Sequence, residues 1–87
     1  MASSECPEGI EVGIREAEAL GADAHVIACF DDTGLDAARQ LARAPVIGIG
    51  EAAYHVASLV AGKFAVVTTL ALAIPVMEHN LVRYGLA

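Results

Sequence analysis

Two kinds of segment alternate along this chain. Amphipathic stretches with apolar residues every three or four positions are typical of helices, and short continuous apolar runs are typical of strands buried on both faces of a parallel sheet. Four helices are predicted: from Pro7 to a stop at Gly21, from a cap at Asp32 or Thr33 to Pro45, from about Glu51 to Ala61, and from Pro75 to Gly85. Three strands are predicted between them, at residues 25–30, 46–49 and 64–67.

The order αβαβαβα predicts an α/β fold, a three-layer α/β/α arrangement around a short parallel sheet with right-handed crossovers. On the third helix the apolar residues expected to face the core are Ala53, Val56, Ala57 and Val60, and on the last helix they are Met77, Leu81 and Tyr84.

The ends of the strands carry the candidate site, because ligands of open α/β sheets bind beyond the carboxyl ends of the strands. These ends are Cys29–Asp32, Gly48–Glu51 and Thr68–Leu70, and we expect them to lie side by side on one edge.

Composition adds an expectation about association. Hydrophobic residues make up 56% of the 87 residues, and the mean hydropathy is +0.57. This is more apolar than a domain that covers its own surface needs, so part of the apolar surface is expected to pack against another domain or chain. A homo-oligomer is the predicted state.

Charge excludes two classes of partner. Eleven acidic and five basic residues give a net charge of −6, so no attraction to nucleic acid or anionic lipid is expected.

The longest apolar stretch, Phe64 to Met77, contains two threonines and a proline and is too short to span a bilayer. The start MASSECPEGIE lacks the pattern of a signal peptide. The two cysteines fit a reducing cytoplasm, and Cys6 is expected to be an exposed thiol without a role.

Cys29 is the candidate reactive group, since it closes the apolar run HVIAC just before a predicted helix. A helix N-terminus favours the thiolate through the helix dipole and free N–H groups, whereas Asp31 and Asp32 oppose it. The alternative is a small buried hydrophobe, the usual role of a free cysteine. The residues alone leave both interpretations open.

The other strand ends offer weaker signals. Thr68 and Thr69 present hydroxyls suited to a carboxylate, carbonyl or ring amide, although Thr69 alone would also serve as a helix cap. The turn Gly48–Glu51 lacks the third glycine of a dinucleotide site, which favours close backbone approach to a ligand or a simple strand exit. His55 and His79 have no partner at ligand spacing, so no metal site is expected, and His25 is expected to be structural.

Four ordered motifs resemble one family. They are ACFDDTGLDAAR from Ala28, PVIGIGEAAYHVAS from Pro45, FAVVTTL from Phe64 and PVMEHNLVRYGLA from Pro75. Together they closely resemble the hydantoin racemases of the aspartate/glutamate racemase superfamily, from about Glu16 to Ala87. Residues 1–15 are interpreted as a non-matching segment with the start of the first helix, and residues 16–87 as a racemase-like α/β subdomain.

The resemblance implies a cofactor-independent racemase whose small-molecule substrate lies between two similar subdomains, each with one cysteine. One thiolate removes a proton from the carbon alpha to a carbonyl, and the opposing thiol reprotonates the other face. Cys29 matches the first cysteine; Cys6 does not match the second, whose subdomain this sequence lacks. The expected substrate-binding residues are Phe30, Asp31, Gly50, Glu51, Thr68, Thr69 and Leu70.

Two alternatives stay open. The same pair of thiols serves several substrates, so an allantoin racemase or a related amino-acid racemase is the nearest alternative enzyme. The second alternative is a truncated, non-catalytic domain that associates with itself, which would explain both the apolar excess and the length, less than half that of family members.

Overall fold

The computed structural model describes residues 7–86. The elements in chain order are α1 (Pro7–Ala19), β1 (His25–Ile27), α2 (Leu35–Leu41), β2 (Val46–Gly48), α3 (Ile49–Val60), a 3-10 turn (Ala71–Ala73) and α4 (Ile74–Arg83). The fold is mixed α/β, with helices flanking a short parallel sheet, which confirms the predicted class. All four predicted helices are present. Helix α1 runs across residue 15, and the division of the chain at that point stays a prediction.

The sheet pairs β1 with β2 in parallel, with His25 opposite Val46 and Ile27 opposite Gly48. Burial alternates along both strands, because α1 and α2 cover only one face. On the other face Val26 is 60% exposed, so the expectation of strands buried on both faces is wrong here. The core on the covered face consists of Ile14, Ile27, Leu35, Ala38 and Val46.

The third predicted strand is not formed in the described part of the chain, where residues 64–67 are irregular. Phe64 packs its ring on Tyr54, with centroids 6.3 Å apart, but Val67 is 95% exposed. A run of β-branched residues predicts an extended backbone, yet a strand also requires a neighbouring edge that pairs with its N–H and C=O groups. Residues 64–67 do not pair with either outer edge of the β1–β2 sheet, so no third strand forms in the described part of the chain.

Helix α3 turns a different face to the core from the one predicted. Gly50 and Tyr54 are buried, whereas Val56 is 59% and Val60 80% exposed. The physical reason is the size of the Tyr54 ring, which packs among Phe30, Phe64 and Tyr84 and sets the rotation of the helix. Many apolar side chains of residues 56–76 are exposed in this structure. The most exposed are Leu59, Val60, Val67 and Leu72.

In residues 7–86 no helix is both long and apolar enough to cross a membrane.

A buried histidine and a carboxylate join α1 to the sheet. One oxygen of Glu18, Oε2, accepts hydrogen bonds from His25 Nε2 at 3.0 Å, the Arg43 N–H at 2.8 Å and the Ala44 N–H at 3.0 Å. The bond from His25 and those from the two amides stabilise the carboxylate, and they lower the pKa of Glu18 from 4.5 to about 2. The hydrogen bond to Glu18 fits the structural role that was expected of His25.

Glu18→Gln is expected to make the protein less stable at neutral pH and less sensitive to acid. Because the folded pKa of Glu18 lies below its unfolded value, its contribution is present above about pH 4.5 and is lost as the pH falls towards 2. Urea unfolding at several pH values measures this loss as the fall in free energy of unfolding between pH 5 and pH 2. Glu16→Gln, an exposed position on the same helix, is the control and should retain the wild-type fall. A Glu18→Gln curve parallel to the wild type would contradict the assignment.

Candidate functional site

Cys29 follows β1 at the carboxyl edge of the sheet, as predicted. The residue is half-buried and packs against the core, and its Sγ lies 3.6 Å from the Thr33 hydroxyl oxygen. Helix α2 begins only at Leu35, with Gly34 as its N-cap, so several residues separate the thiol from the helix. The hydroxyl of Thr33 is therefore a hydrogen-bonding partner of the sulfur.

Asp32 links the turn that carries Cys29 to two other elements. Its carboxylate accepts hydrogen bonds from the Gly50 N–H at 3.0 Å, the Glu51 N–H at 2.7 Å and the Tyr84 O–H at 2.6 Å. We call this arrangement the Asp32 clasp. The prediction that Asp32 or Thr33 caps α2 is wrong: α2 has no side-chain cap, and Asp32 satisfies the first N–H groups of α3 instead.

Glycines 48 and 50 allow the clasp to close. A Cβ at Gly50 would lie 2.7 Å from Asp32 Oδ2 and closer still to the carbonyl oxygen of Phe30. A Cβ at Gly48 would lie 2.9 Å from Asp32 Cγ. The group that approaches the backbone of this turn is the Asp32 carboxylate, and approach of a ligand to the same turn stays a prediction.

The Glu51 carboxylate faces an arginine. Arg39 donates from Nη2 at 2.6 Å and from Nη1 at 3.2 Å to the two carboxylate oxygens, and it also donates to the Val46 carbonyl. The arginine lowers the pKa of Glu51, and the carboxylate raises the pKa of Arg39 in return. Both the N–H and the carboxylate of Glu51 thus have protein partners, which indicates that this residue organises the turn between β2 and α3.

Helix α4 contacts the turn that carries Cys29 through a residue that sequence reasoning missed. The buried Asn80 donates from Nδ2 to the carbonyl oxygen of Asp31 at 2.8 Å, and Arg83 donates to the Asn80 Oδ1 and pairs with Asp36. Asn80 lies one residue before Leu81 on the face predicted to meet the core. A single polar residue on that face was the available signal.

Aromatic rings pack beside the clasp. Phe30 meets Tyr54 edge-on, with centroids 5.3 Å apart, and Tyr84 lies 6.5 Å from the same ring. Burial, together with the hydrogen bond to Asp32, raises the pKa of Tyr84, so its hydroxyl stays protonated as the donor. Tyr54 is only 1% exposed, and its hydroxyl has no hydrogen-bond partner among the described residues. Burial raises the pKa of Tyr54, and the charges of two nearby aspartates add to this.

Tyr54→Phe is expected to raise the free energy of unfolding by about 1 kcal/mol, because it removes a buried hydroxyl that lost its water without gaining a partner. The ring and its contacts with Phe30 and Phe64 are kept. Thermal and urea unfolding measure the change. Tyr84→Phe is the opposite control, since its hydroxyl donates to Asp32 and its loss should destabilise. A Tyr54→Phe chain less stable than the wild type would show that the hydroxyl has a partner.

The third strand end is organised locally. Thr68 is half-exposed, Thr69 and Leu70 are exposed, and the Leu70 N–H donates to the Thr68 hydroxyl at 3.4 Å. The described hydrogen bonds therefore join the first two strand ends, Cys29–Asp32 and Gly48–Glu51, while the one at Thr68 stays within its own segment.

Two further expectations concern metals and the second cysteine. Within residues 7–86, no group of three or more His, Cys, Asp or Glu side chains is placed to bind a metal ion. Cys6 lies outside the described residues.

Comparison with known proteins gives the family. The sequence model described as Asp/Glu/Hydantoin racemase matches residues 3–87. This chain belongs to that family. The predicted resemblance is confirmed.

Relatives of the chain are considerably longer. It is 51% identical over 77 residues to a hydantoin racemase of Rhizobium meliloti, covering 88% of this chain and 32% of that protein. It is 41% identical over 78 residues to a hydantoin racemase of Pseudomonas sp. (strain NS671), covering 90% and 31%. The chain thus spans about a third of the length of these relatives.

A solved structure agrees with the fold. The allantoin racemase from Klebsiella pneumoniae superposes with a TM-score of 0.89 at 49% sequence identity, covering 92% of this chain and 33% of that one. The helices and the two-stranded sheet described above are therefore those of a racemase fold.

Proposed function

We propose that this chain provides one thiol-bearing part of a cofactor-independent racemase that acts on 5-substituted hydantoins, with Cys29 as one of two acid/base thiols. The observation that carries the proposal is the position of Cys29 on the carboxyl edge of the sheet, beside a hydroxyl and tied to the start of α3. The likeness to proteins named hydantoin racemase supports the substrate class.

The reaction is a proton transfer at C5 of the hydantoin ring. The Cys29 thiolate takes the C5 proton, and the electron pair left on carbon delocalises onto the adjacent carbonyl. A second thiol, a role that the resemblance does not give to Cys6, donates its proton to the opposite face of C5. One proton is taken and one is returned, so the substrate changes only its configuration.

Thr33 fits a role in the thiolate step. Its hydroxyl oxygen, 3.6 Å from the sulfur, is able to donate a hydrogen bond to a thiolate and to rotate away when the sulfur is protonated.

The substrate contacts follow from the strand ends. Phe30, Asp31 and the Thr68–Leu70 segment are proposed to contact the ring, through hydroxyls and N–H groups for its carbonyls and apolar surface for its 5-substituent. Gly50 and Glu51 are proposed to line the same site by their backbone, since the Glu51 carboxylate is paired with Arg39.

Hydrogen–deuterium exchange at C5 tests the proposal. A single enantiomer of a 5-substituted hydantoin is incubated in D2O with the chain, and deuterium at C5 is followed by NMR. Incorporation above the buffer rate is the expected result, because one thiolate suffices to remove and return a proton on one face. Incorporation at the buffer rate would contradict the proposal.

Allantoin is the second candidate substrate, favoured by the structural likeness to the Klebsiella pneumoniae allantoin racemase. Allantoin is itself a hydantoin with a ureido group at C5, so the ring contacts would be shared and only the substituent differs. Side-by-side exchange assays with allantoin and a 5-alkylhydantoin separate the two, since the faster substrate identifies the group that the site accepts.

Self-association is proposed as the use of the exposed apolar side chains. Leu59, Val60, Val67 and Leu72 are each at least 80% exposed, which is costly unless another surface covers them. We expect a homo-oligomer by light scattering, and a monomer that binds no hydrophobic dye would contradict it. If the chain associates but exchanges no C5 proton, the non-catalytic alternative is the better account.

A working thiol also favours a reducing compartment, and we assign the protein to the cytoplasm.

A further inference from the structure

The turn after Cys29 is closed by its own backbone. The Asp32 N–H donates to the Cys29 carbonyl at 2.9 Å, and the Asp32 carbonyl accepts from the Leu35 N–H at 3.1 Å. Asp32 has a φ of 55°, a left-handed conformation that residues other than glycine seldom adopt. Such a conformation persists where its surroundings hold it in place. The position of the Cys29 backbone therefore follows that of Asp32.

Three hydrogen-bond donors hold Asp32 in this conformation. The residue is only 5% exposed, and burial of a carboxylate is costly unless donors meet its oxygens. The N–H groups of Gly50 and Glu51 provide two, at the positive end of the α3 dipole, and the Tyr84 hydroxyl provides the third. Bonds to a charged acceptor are stronger than neutral ones. Asp32 is thus anchored at the start of α3 and the end of α4.

We propose that Asp32 is a positioning residue for the Cys29 thiol, which holds the cysteine-bearing turn against the start of α3. The carboxylate does not touch the reacting atoms; it acts through the backbone of the turn. The role of that thiol in proton transfer rests on the proposed function, whereas its position is a matter of geometry alone. From sequence Asp32 was expected to cap a helix.

The reactivity of Cys29 towards a neutral alkylating reagent tests the positioning. All variants carry Cys6→Ser, so that Cys29 is the only thiol. Iodoacetamide rates are measured from pH 6 to pH 9 for the parent and for Asp32→Asn. Release of the turn is expected to raise the rate by about fivefold, since small local openings expose the sulfur. Asp23→Asn, which removes one charge at an exposed loop position, is the matched control and should react at the rate of the parent.

C5 exchange provides the second readout. Asp32→Asn is expected to exchange the C5 proton about tenfold more slowly than the parent, because misplacing a catalytic group lowers the rate even when the group is accessible. Faster alkylation of Cys29 together with slower C5 exchange indicates that the thiol has lost its position. In a folded chain, loss of a purely structural residue would not change these two rates in opposite directions. Circular dichroism establishes that the variant is folded.

Tyr84→Phe keeps the proposal testable if Asp32→Asn does not fold. It removes one donor and leaves both backbone donors, so a smaller rise in alkylation, about twofold, is expected. Alkylation profiles equal to the parent in the folded variants would overturn the positioning role.

The two proposals fail separately. If Cys29→Ala abolishes C5 exchange while Asp32→Asn leaves the thiol profile unchanged, the positioning role is wrong and the proposed function stands. If Cys29→Ala retains C5 exchange while Asp32→Asn changes the profile, the proposed function is wrong and the positioning stands.

Discussion

Cys29→Ala is expected to reduce deuterium incorporation at C5 of a hydantoin by about 10³-fold, to the rate in buffer, because general base catalysis contributes 10²–10⁴-fold and no other group takes its place. The side chain packs against the edge of the core but is only half-buried. Alanine therefore removes the sulfur at small cost to the stability of the fold. NMR of the C5 proton measures the rate, and circular dichroism establishes that the variant is folded.

Two control variants sharpen this result. Cys29→Ser retains the shape but replaces the thiol with a hydroxyl that is almost never ionised at neutral pH, so it should be as inactive as alanine. Cys6→Ser should exchange at the wild-type rate, because Cys6 does not match a family cysteine. Wild-type exchange in Cys29→Ala would refute the assignment of Cys29, and loss in Cys6→Ser would move the thiol role to Cys6.

Gly50→Ala is expected to lower the free energy of unfolding by about 3 kcal/mol, at the upper end for adding a methyl group to a packed site. The new Cβ would meet Asp32 Oδ2 at 2.7 Å and lie still closer to the Phe30 carbonyl oxygen. The Phe30 backbone and the anchored Asp32 carboxylate cannot move aside as easily as the end of a flexible side chain. Any shift that relieves the contact also lengthens the hydrogen bonds of the Asp32 clasp.

Gly62→Ala is the matched control for this substitution. A Cβ at Gly62 meets nothing within 4 Å, so the change should alter the free energy of unfolding by no more than about 0.5 kcal/mol. Urea unfolding followed by circular dichroism measures both variants. Equal midpoints for Gly50→Ala and Gly62→Ala would show that the turn at Gly50 is not packed as described.

Much of the site was predictable because it depends on neighbours in sequence. The apolar run HVIAC followed by polar residues predicts a strand end, and a parallel sheet places that end on the ligand-binding edge. In the structure Cys29 lies two residues after β1, at the carboxyl edge of the sheet. The four ordered motifs predict the family, which the match over residues 3–87 confirms.

What was missed depends on contacts between residues far apart in the chain. Asp32 was expected to cap the helix that follows it, yet its carboxylate reaches α3, 18 residues further on, and Tyr84, 52 residues further on. The same holds for Asn80, which reaches Asp31. Local preference indicates that aspartate caps a helix, but which N–H groups it meets is decided by the packing of the helices.

The sequence by itself determined the helices, their order, the two paired strands and the edge on which Cys29 lies, since these follow from periodicity and local preference over a few residues. Tertiary structure decided which face of α3 is buried, whether residues 64–67 find a strand to pair with, and which donors Asp32 meets. Each of these is a competition between distant groups for the same space or the same hydrogen bond, and only the packed chain settles it.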